Sequence, residues 1–316
     1  MPEETIMTVH TLKARKVQFD LSTTPLHWIP NDPFATHLIN SINLILPAGE
    51  LWFCRVFNQA LPLIKDEKLR LEVKGFIAQE GMHARAHKGA WPYLERHNID
   101  ITALLARSDR IFGTLLSDAP LGINMLNRKR LQKPWLIARV GLVAAIEHFT
   151  GFLGQWCMDN TSWDKAEPTM ADLFRWHLAE EVEHRSVAYD LYEHLCKTEL
   201  GFYVSRQAMM AAVFPLFIYL FMDGYRQLAA QDQDDEHSLR LARSSMLRLL
   251  LELESNGISR ENVPRFSAFC MATLHWISPR FHPESEGNTE QALNYLARSP
   301  AARAALAREQ PVAQAG

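Results

Sequence analysis

The chain has 316 residues, 47% of them hydrophobic, and a formal charge of −3 at pH 7. This apolar content is enough for one large core or two modest ones. The near-neutral balance excludes the strong basic field that nucleic acid or an anionic membrane surface would need in a partner. Four scattered cysteines, with no Cys-x-x-Cys pair, argue against a disulfide framework and a thiolate zinc site. With no apolar leader in the first residues, they point to a cytoplasmic protein.

Helical periodicity dominates, and no run of alternating β-branched residues interrupts it. Residues 1–32 read as an irregular segment closed by Pro25, Pro30 and Pro33. Helices are expected over 33–45, 47–61, 66–96, 100–117, 121–159, 168–197, 202–231, 235–255, 262–276 and 288–308. Pro47 suits a first helical turn, and Pro62 a stop. The segment 208–222 (AMMAAVFPLFIYLFM) is nearly free of polar groups. It falls short of the roughly 20 residues that span a bilayer, and Pro215 interrupts it. A buried helix is the simplest expectation there, with a membrane-contacting hairpin or an apolar substrate channel as alternatives. The principal domain is expected at 33–200, with additional helices at 201–310 packed beside it.

Two glutamates sit in apolar company: Glu50 in LILPAGELWF and Glu147 in VGLVAAIEHF. A lone carboxylate buried there would lose several kcal/mol of hydration or stay protonated, so a cation, an Arg or a proton should face it. Two helices each carry Glu-x-x-His: Glu80 with His83, and Glu181 with His184. Residues three apart share a helical face, and His177, four before Glu181, extends that stripe. Glu50 precedes the first motif by 30 residues and Glu147 the second by 34. A lone Glu followed by Glu-x-x-His, twice over, is the pattern of a four-helix di-metal carboxylate bundle. Four carboxylates balance two divalent ions, and a carboxylate–imidazole set suits iron or manganese. The competing reading is a set of salt-bridged helix faces, with Arg55, Arg85 and Arg139 as candidate cations.

Around this core, His87 is a candidate extra ligand or a support for one, and His148 points away and reads as structural. Glu180 and Glu183 are expected at the surface with Arg175 or Arg185, and Asp190 is a candidate acceptor for a ligand histidine. Trp52, Phe53, Phe76, Phe149 and Phe152 are either core or pocket lining.

The stretches LPAGELWFCRVF, FIAQEGMHARAH, AAIEHFTGFL and WHLAEEVEHRSVAYDLY, with the later ISPRFHP, resemble a bacterial family of predicted metal-dependent hydrolases, from about Pro33 to Pro283. The metal pattern itself is similar to ferritin-like di-iron oxygenases of the p-aminobenzoate N-oxygenase type, which place an additional histidine where His177 stands. These resemblances imply an all-α, ferritin-like four-helix bundle with a di-metal core and additional C-terminal helices. They imply Glu50, Glu80, His83, Glu147, Glu181 and His184 as standard ligands and His177 as the seventh, with the four glutamates carrying catalysis as ligands. The leading functional expectation is an oxygen-activating oxidoreductase with two iron ions (or manganese), using dioxygen, a small-molecule substrate and an external electron donor. A homodimer is left open. The alternatives are a hydrolase using a metal-bridged water and a non-enzymatic iron-binding protein.

Overall fold

The computed structural model describes residues 11–120 and 129–309. Among them every regular element is helical, so the chain is all-α. The start of the helix expected over 121–159 lies outside the described residues.

Residues 11–32 carry no helix. They lie against the next elements closely enough that a Cβ on Gly75 would come within 2.6 Å of Leu12. Asp32 then caps α1 (Pro33–Ala60) by accepting from the Ala35 amide. α1 is one continuous helix where the sequence suggested two, with Pro47 in its interior. Proline lacks the N–H that would bond the carbonyl four residues back. That carbonyl, Asn43 O, accepts instead from Trp91 Nε1 at 3.0 Å, so the interruption costs no unsatisfied acceptor.

α2 (Glu67–Gly89), capped by Asp66, folds back along α1. It ends earlier than expected, and α3 (Trp91–Arg96) starts anew after Ala90. α4 (Thr102–Asp109) passes into a π-helical turn, Arg110–Leu115. α5 (Lys129–Asp159) pairs with α6 (Pro168–His184), which Glu167 caps by accepting from the amides of Thr169 and Met170. Gly154 allows this pairing, because a Cβ there would sit 2.5 Å from the Leu178 carbonyl of α6. The helix expected to run from 168 to 197 breaks at Arg185 and Ser186, and α7 (Val187–Leu195) follows.

α8 (Glu199–Ala229) lies across α1 and α5. Gly224 lets it approach Ser41 of α1, and Phe149 of α5 stacks on Phe217 at 4.8 Å. Its apolar stretch is only half-buried: Met210, Val213, Phe217 and Ile218 face inward, whereas Leu216 and Tyr219 are exposed. α5 and α8 are both long and apolar enough to cross a membrane by length and composition, with 67% and 39% of their most apolar windows buried. The shorter α9 (Glu236–Ala242), α10 (Met246–Ser259), α11 (Phe266–Ile277), α12 (Thr289–Arg298) and α13 (Pro300–Glu309) complete the described fold. The break between α12 and α13 falls at Ser299, whose extended backbone is the conformation favoured before Pro300. Buried Arg206 ties α8 to the α11 end by donating to the carbonyls of Trp276 and Ser278.

Candidate metal centre

Four helices deliver the expected side chains to one place. α1 brings Glu50, α2 brings Glu80 and His83, α5 brings Glu147, and α6 brings His177, Glu181 and His184. All seven are at most 2% exposed. His184 Nε2 lies 3.2 Å from Glu80 Oε1, 3.4 Å from Glu147 Oε2 and 3.2 Å from Glu181 Oε2. His83 Nδ1 lies 3.4 Å from Glu181 Oε1, and His177 Nε2 lies 2.6 Å from that atom and 3.6 Å from Glu50 Oε1. Four overlapping metal-capable groups result: Glu80, Glu147, Glu181 and His184; His83, His177 and Glu181; Glu50, Glu80 and His83; and Glu50, His87 and His177.

The donor balance at this centre is lopsided. Both carboxylate oxygens of Glu50, of Glu80 and of Glu147, and Nδ1 of His83, are buried without a hydrogen-bond partner. Such atoms cost several kcal/mol unless something positive meets them. The cations weighed from sequence do not: Arg55 and Arg85 are exposed, and Arg139 pairs with Asp118 and Gln59. Where protons are the only cations, burial, reinforced by Glu80, pushes the Glu50 carboxyl well above its usual range. Burial together with the Glu181 and Glu80 charges does the same to Glu147. Burial also disfavours charge on His83 and His184, but their carboxylate neighbours win and raise both well above the ordinary imidazole value. A set of residues that must collect protons to be stable is one that divalent ions fit.

The outward nitrogens of the histidines are all tied. His83 Nε2 donates to Glu180 Oε2 at 2.9 Å, and His184 Nδ1 donates to Gln79 Oε1 at 3.0 Å. His177 Nδ1 meets His87 Nε2 at 2.5 Å, and His87 Nδ1 donates to Asn43 Oδ1 at 2.7 Å. With its proton on Nδ1, His87 accepts from His177 and leaves His177 Nε2 as a lone pair directed inward. Burial, with the neighbouring His177 and His83, keeps His87 well below the usual imidazole range and therefore neutral. Each histidine thus presents an unprotonated nitrogen to the carboxylates once cations replace the protons, with its orientation set from behind.

Several expectations need correction. Glu180 and Glu183 are buried, not at the surface, and both accept from Arg15 (2.6 and 2.9 Å). Glu180 also accepts from Trp176 Nε1, and Glu183 from Gln79 Nε2. Arg175 instead pairs with Asp164, while Arg185 binds the 283–289 loop. Asp190 accepts from His282 and meets no metal-capable histidine. His148 donates to the Ala272 carbonyl, and burial pushes it down to about 4, in keeping with a structural place. Phe53 lines the cavity beside the centre; Phe76 packs on His184 and Phe57; Phe149 belongs to the core. Sequence reasoning missed Arg15, Asn43 and Gln79. Gln79 is four residues before His83, a spacing that marks a shared face; Arg15 carries no local signal.

An apolar cavity of about 280 Å³ reaches the centre and touches Glu50, Glu80, Glu147, His177 and Glu181.

Comparison with known families gives one finding: a family described as predicted metal-dependent hydrolase matches residues 13–287. Neither the curated proteins nor the solved structures contain a match. The family description overturns the oxygen-activating oxidoreductase expected from the ligand pattern and favours the hydrolase kept as its alternative. The physical reason is that carboxylate and imidazole ligands set charge and geometry without choosing a reaction. The same set serves redox metals and Lewis acids alike. The match covers most of the chain, which therefore belongs to the family of predicted metal-dependent hydrolases.

Proposed function

We propose that this chain is a hydrolase working with two divalent ions held by Glu50, Glu80, His83, Glu147, His177, Glu181 and His184. The observation that carries the reading is the excess of buried, unpartnered carboxylate oxygens facing three histidines, with no arginine or lysine of the described residues among them. Four carboxylates would balance two divalent ions, and the oxygen–nitrogen donor set favours iron or manganese. The quartet α1, α2, α5 and α6 supports a ferritin-like bundle, with residues 33–200 as the metal-holding unit and 201–310 as additional packing.

When bound, such ions polarise a scissile carbonyl and bring the pKa of water toward neutrality. The protein's own share is positional. Glu50 and Glu147 border the cavity. A carboxylate oxygen of either that is not engaged by a cation can hold the proton released when water attacks. Gln79, Glu180 and His87 keep the three imidazoles from turning. The apolar walls exclude bulk water, which strengthens every charge interaction inside.

The test is p-nitrophenyl ester hydrolysis by protein stripped with chelator and reloaded with Mn(II), Fe(II) or Zn(II). Activity that returns with metal and is lost in Glu147→Ala supports the reading. Equal hydrolysis by stripped and reloaded protein would remove it.

A further inference from the structure

The wall of the cavity beside the centre is composed almost wholly of aliphatic and aromatic side chains. α1 contributes Ile42 and Leu46, α5 contributes Leu142 and Ile146, and α8 contributes Val213 and Leu216. Apart from the charged floor, Thr150 supplies the side-chain hydroxyl of the lining. Leu216 both lines the cavity and is 42% exposed, so the opening lies along α8. Pro215 stands in the interior of that helix beside the opening. The volume is near the lower end of the roughly 300–1,000 Å³ typical of small-ligand pockets.

These features decide what can enter. A sugar, nucleotide or peptide would give up its hydration for walls that return no hydrogen bonds, at a cost of several kcal/mol. Water in such a space has few polar partners and is displaced cheaply. An unbranched apolar chain gains on entry, and the polar groups that meet it are those of the centre and the Thr150 hydroxyl. We propose that the substrate is a carboxylic ester of an apolar, uncharged chain. The chain fills this cavity, and its one polar group, the ester, rests against Glu50, Glu147 and His177. This deepens the hydrolase reading above and rests on it for the reaction, though not for the ligand class.

The step balances with water alone. The water oxygen bonds to the carbonyl carbon, and the bond from that carbon to the alcohol oxygen breaks. One water proton goes to the departing alkoxide; the other is released from the acid product. No oxidant or reductant is needed.

Two measurements separate the ligand class from the reaction. Binding of neutral 1-hexanol and 1-dodecanol is read by displacement of Nile red from full-length, metal-loaded protein, without any hydrolysis. Each buried methylene adds roughly fourfold in affinity, so burial of only about two of the six additional methylenes makes dodecanol bind at least tenfold more tightly than hexanol. Ile146→Phe, which fills the cavity, and Leu216→Trp, which narrows its mouth, should each weaken dodecanol at least tenfold. They stand on different helices, and Leu216 is partly exposed, so misfolding of one leaves the other to report. In parallel, p-nitrophenyl esters from acetate to dodecanoate should show kcat/KM rising with chain length, with the optimum moved to shorter chains in both variants. Equal binding of the two alcohols, or dodecanol affinity unchanged in both variants, overturns the proposal. Chain-length-dependent binding with no ester cleaved sustains the ligand class and overturns the hydrolase reading instead.

Discussion

Two clusters in this molecule are built from the same residue types and behave in opposite ways. Near the start of α1, His27 and His37 both place Nε2 at 2.7 Å from Asp232 Oδ2, and Asp232 Oδ1 accepts the Asp234 amide. Two imidazole donors serve one carboxylate there. Although burial opposes charge on Asp232, hydrogen bonds from His37 and His27 hold its carboxyl at about 2. At the candidate centre, four carboxylates meet three histidines whose outward nitrogens are already committed, and carboxylate oxygens are left without partners. In the first cluster the carboxylate is fully served, although His37 Nδ1 is buried without a partner, and the trio fastens the irregular segment and α1 to the turn after α8. The second is open by several positive charges. Counting donors against acceptors, more than residue identity, separates a clamp from a metal centre.

The largest effect is expected at Glu147. Glu147→Ala is expected to lose at least one bound ion per chain and to drop ester hydrolysis to the level of stripped protein. Elemental analysis and a metal-reloading assay read both. Next in size is Arg15, which donates to both Glu180 and Glu183. Arg15→Met leaves two buried carboxylates short of a partner, and losing one member of a buried pair costs roughly 3–5 kcal/mol; urea unfolding at neutral pH measures it. Smaller again is His87→Ala, which removes what holds the His177 ring. Loss of such a support typically weakens metal affinity about 10–100-fold, and competition with a calibrated chelator gives the factor. Unchanged affinity would make His87 a packing residue.

The clamp makes the smallest prediction and the clearest pH signature. The Asp232 carboxyl is lower in the folded protein than its usual 3.8. Its stabilisation is therefore present above that value and lost as the pH falls toward about 2. Asp232→Asn should cost on the order of 1–2 kcal/mol at pH 7 and flatten that acid limb in thermal melts across pH. It should leave metal content unchanged. A metal loss in this variant would make the clamp a second ion site.

Much of the centre was readable in the linear chain because helices translate spacing into faces. Glu80 and His83, like Glu181 and His184, are three apart, and apolar neighbours around Glu50 and Glu147 announced their burial. The all-helical fold followed from the same periodicity. The helix breaks at Ala90 and Ser186 were not readable, since each depends on how the flanking helices dock, whereas the break at Ser299 carries a local signal in Pro300. The continuity of α1 through Pro47 was hidden as well, because it relies on Trp91, a residue 44 positions away, to satisfy the orphaned carbonyl. Glu180 and Glu183 were misplaced for a similar reason. Their partner Arg15 is more than 160 positions distant, and Arg175 and Arg185 looked nearer in sequence. The reaction itself was least readable, because the donor set fixes charge and leaves chemistry to the cavity and its contents.

The central claim is that buried carboxylates around Glu50 and Glu147 are balanced by divalent ions and the Asp232 cluster by its own histidines. Elemental analysis of wild type, Glu147→Ala and Asp232→Asn, purified identically without chelator, tests this most directly. Wild type and Asp232→Asn are expected to carry close to two divalent ions per chain, and Glu147→Ala at most one. Metal-free wild type, or equal occupancy in all three proteins, would contradict it.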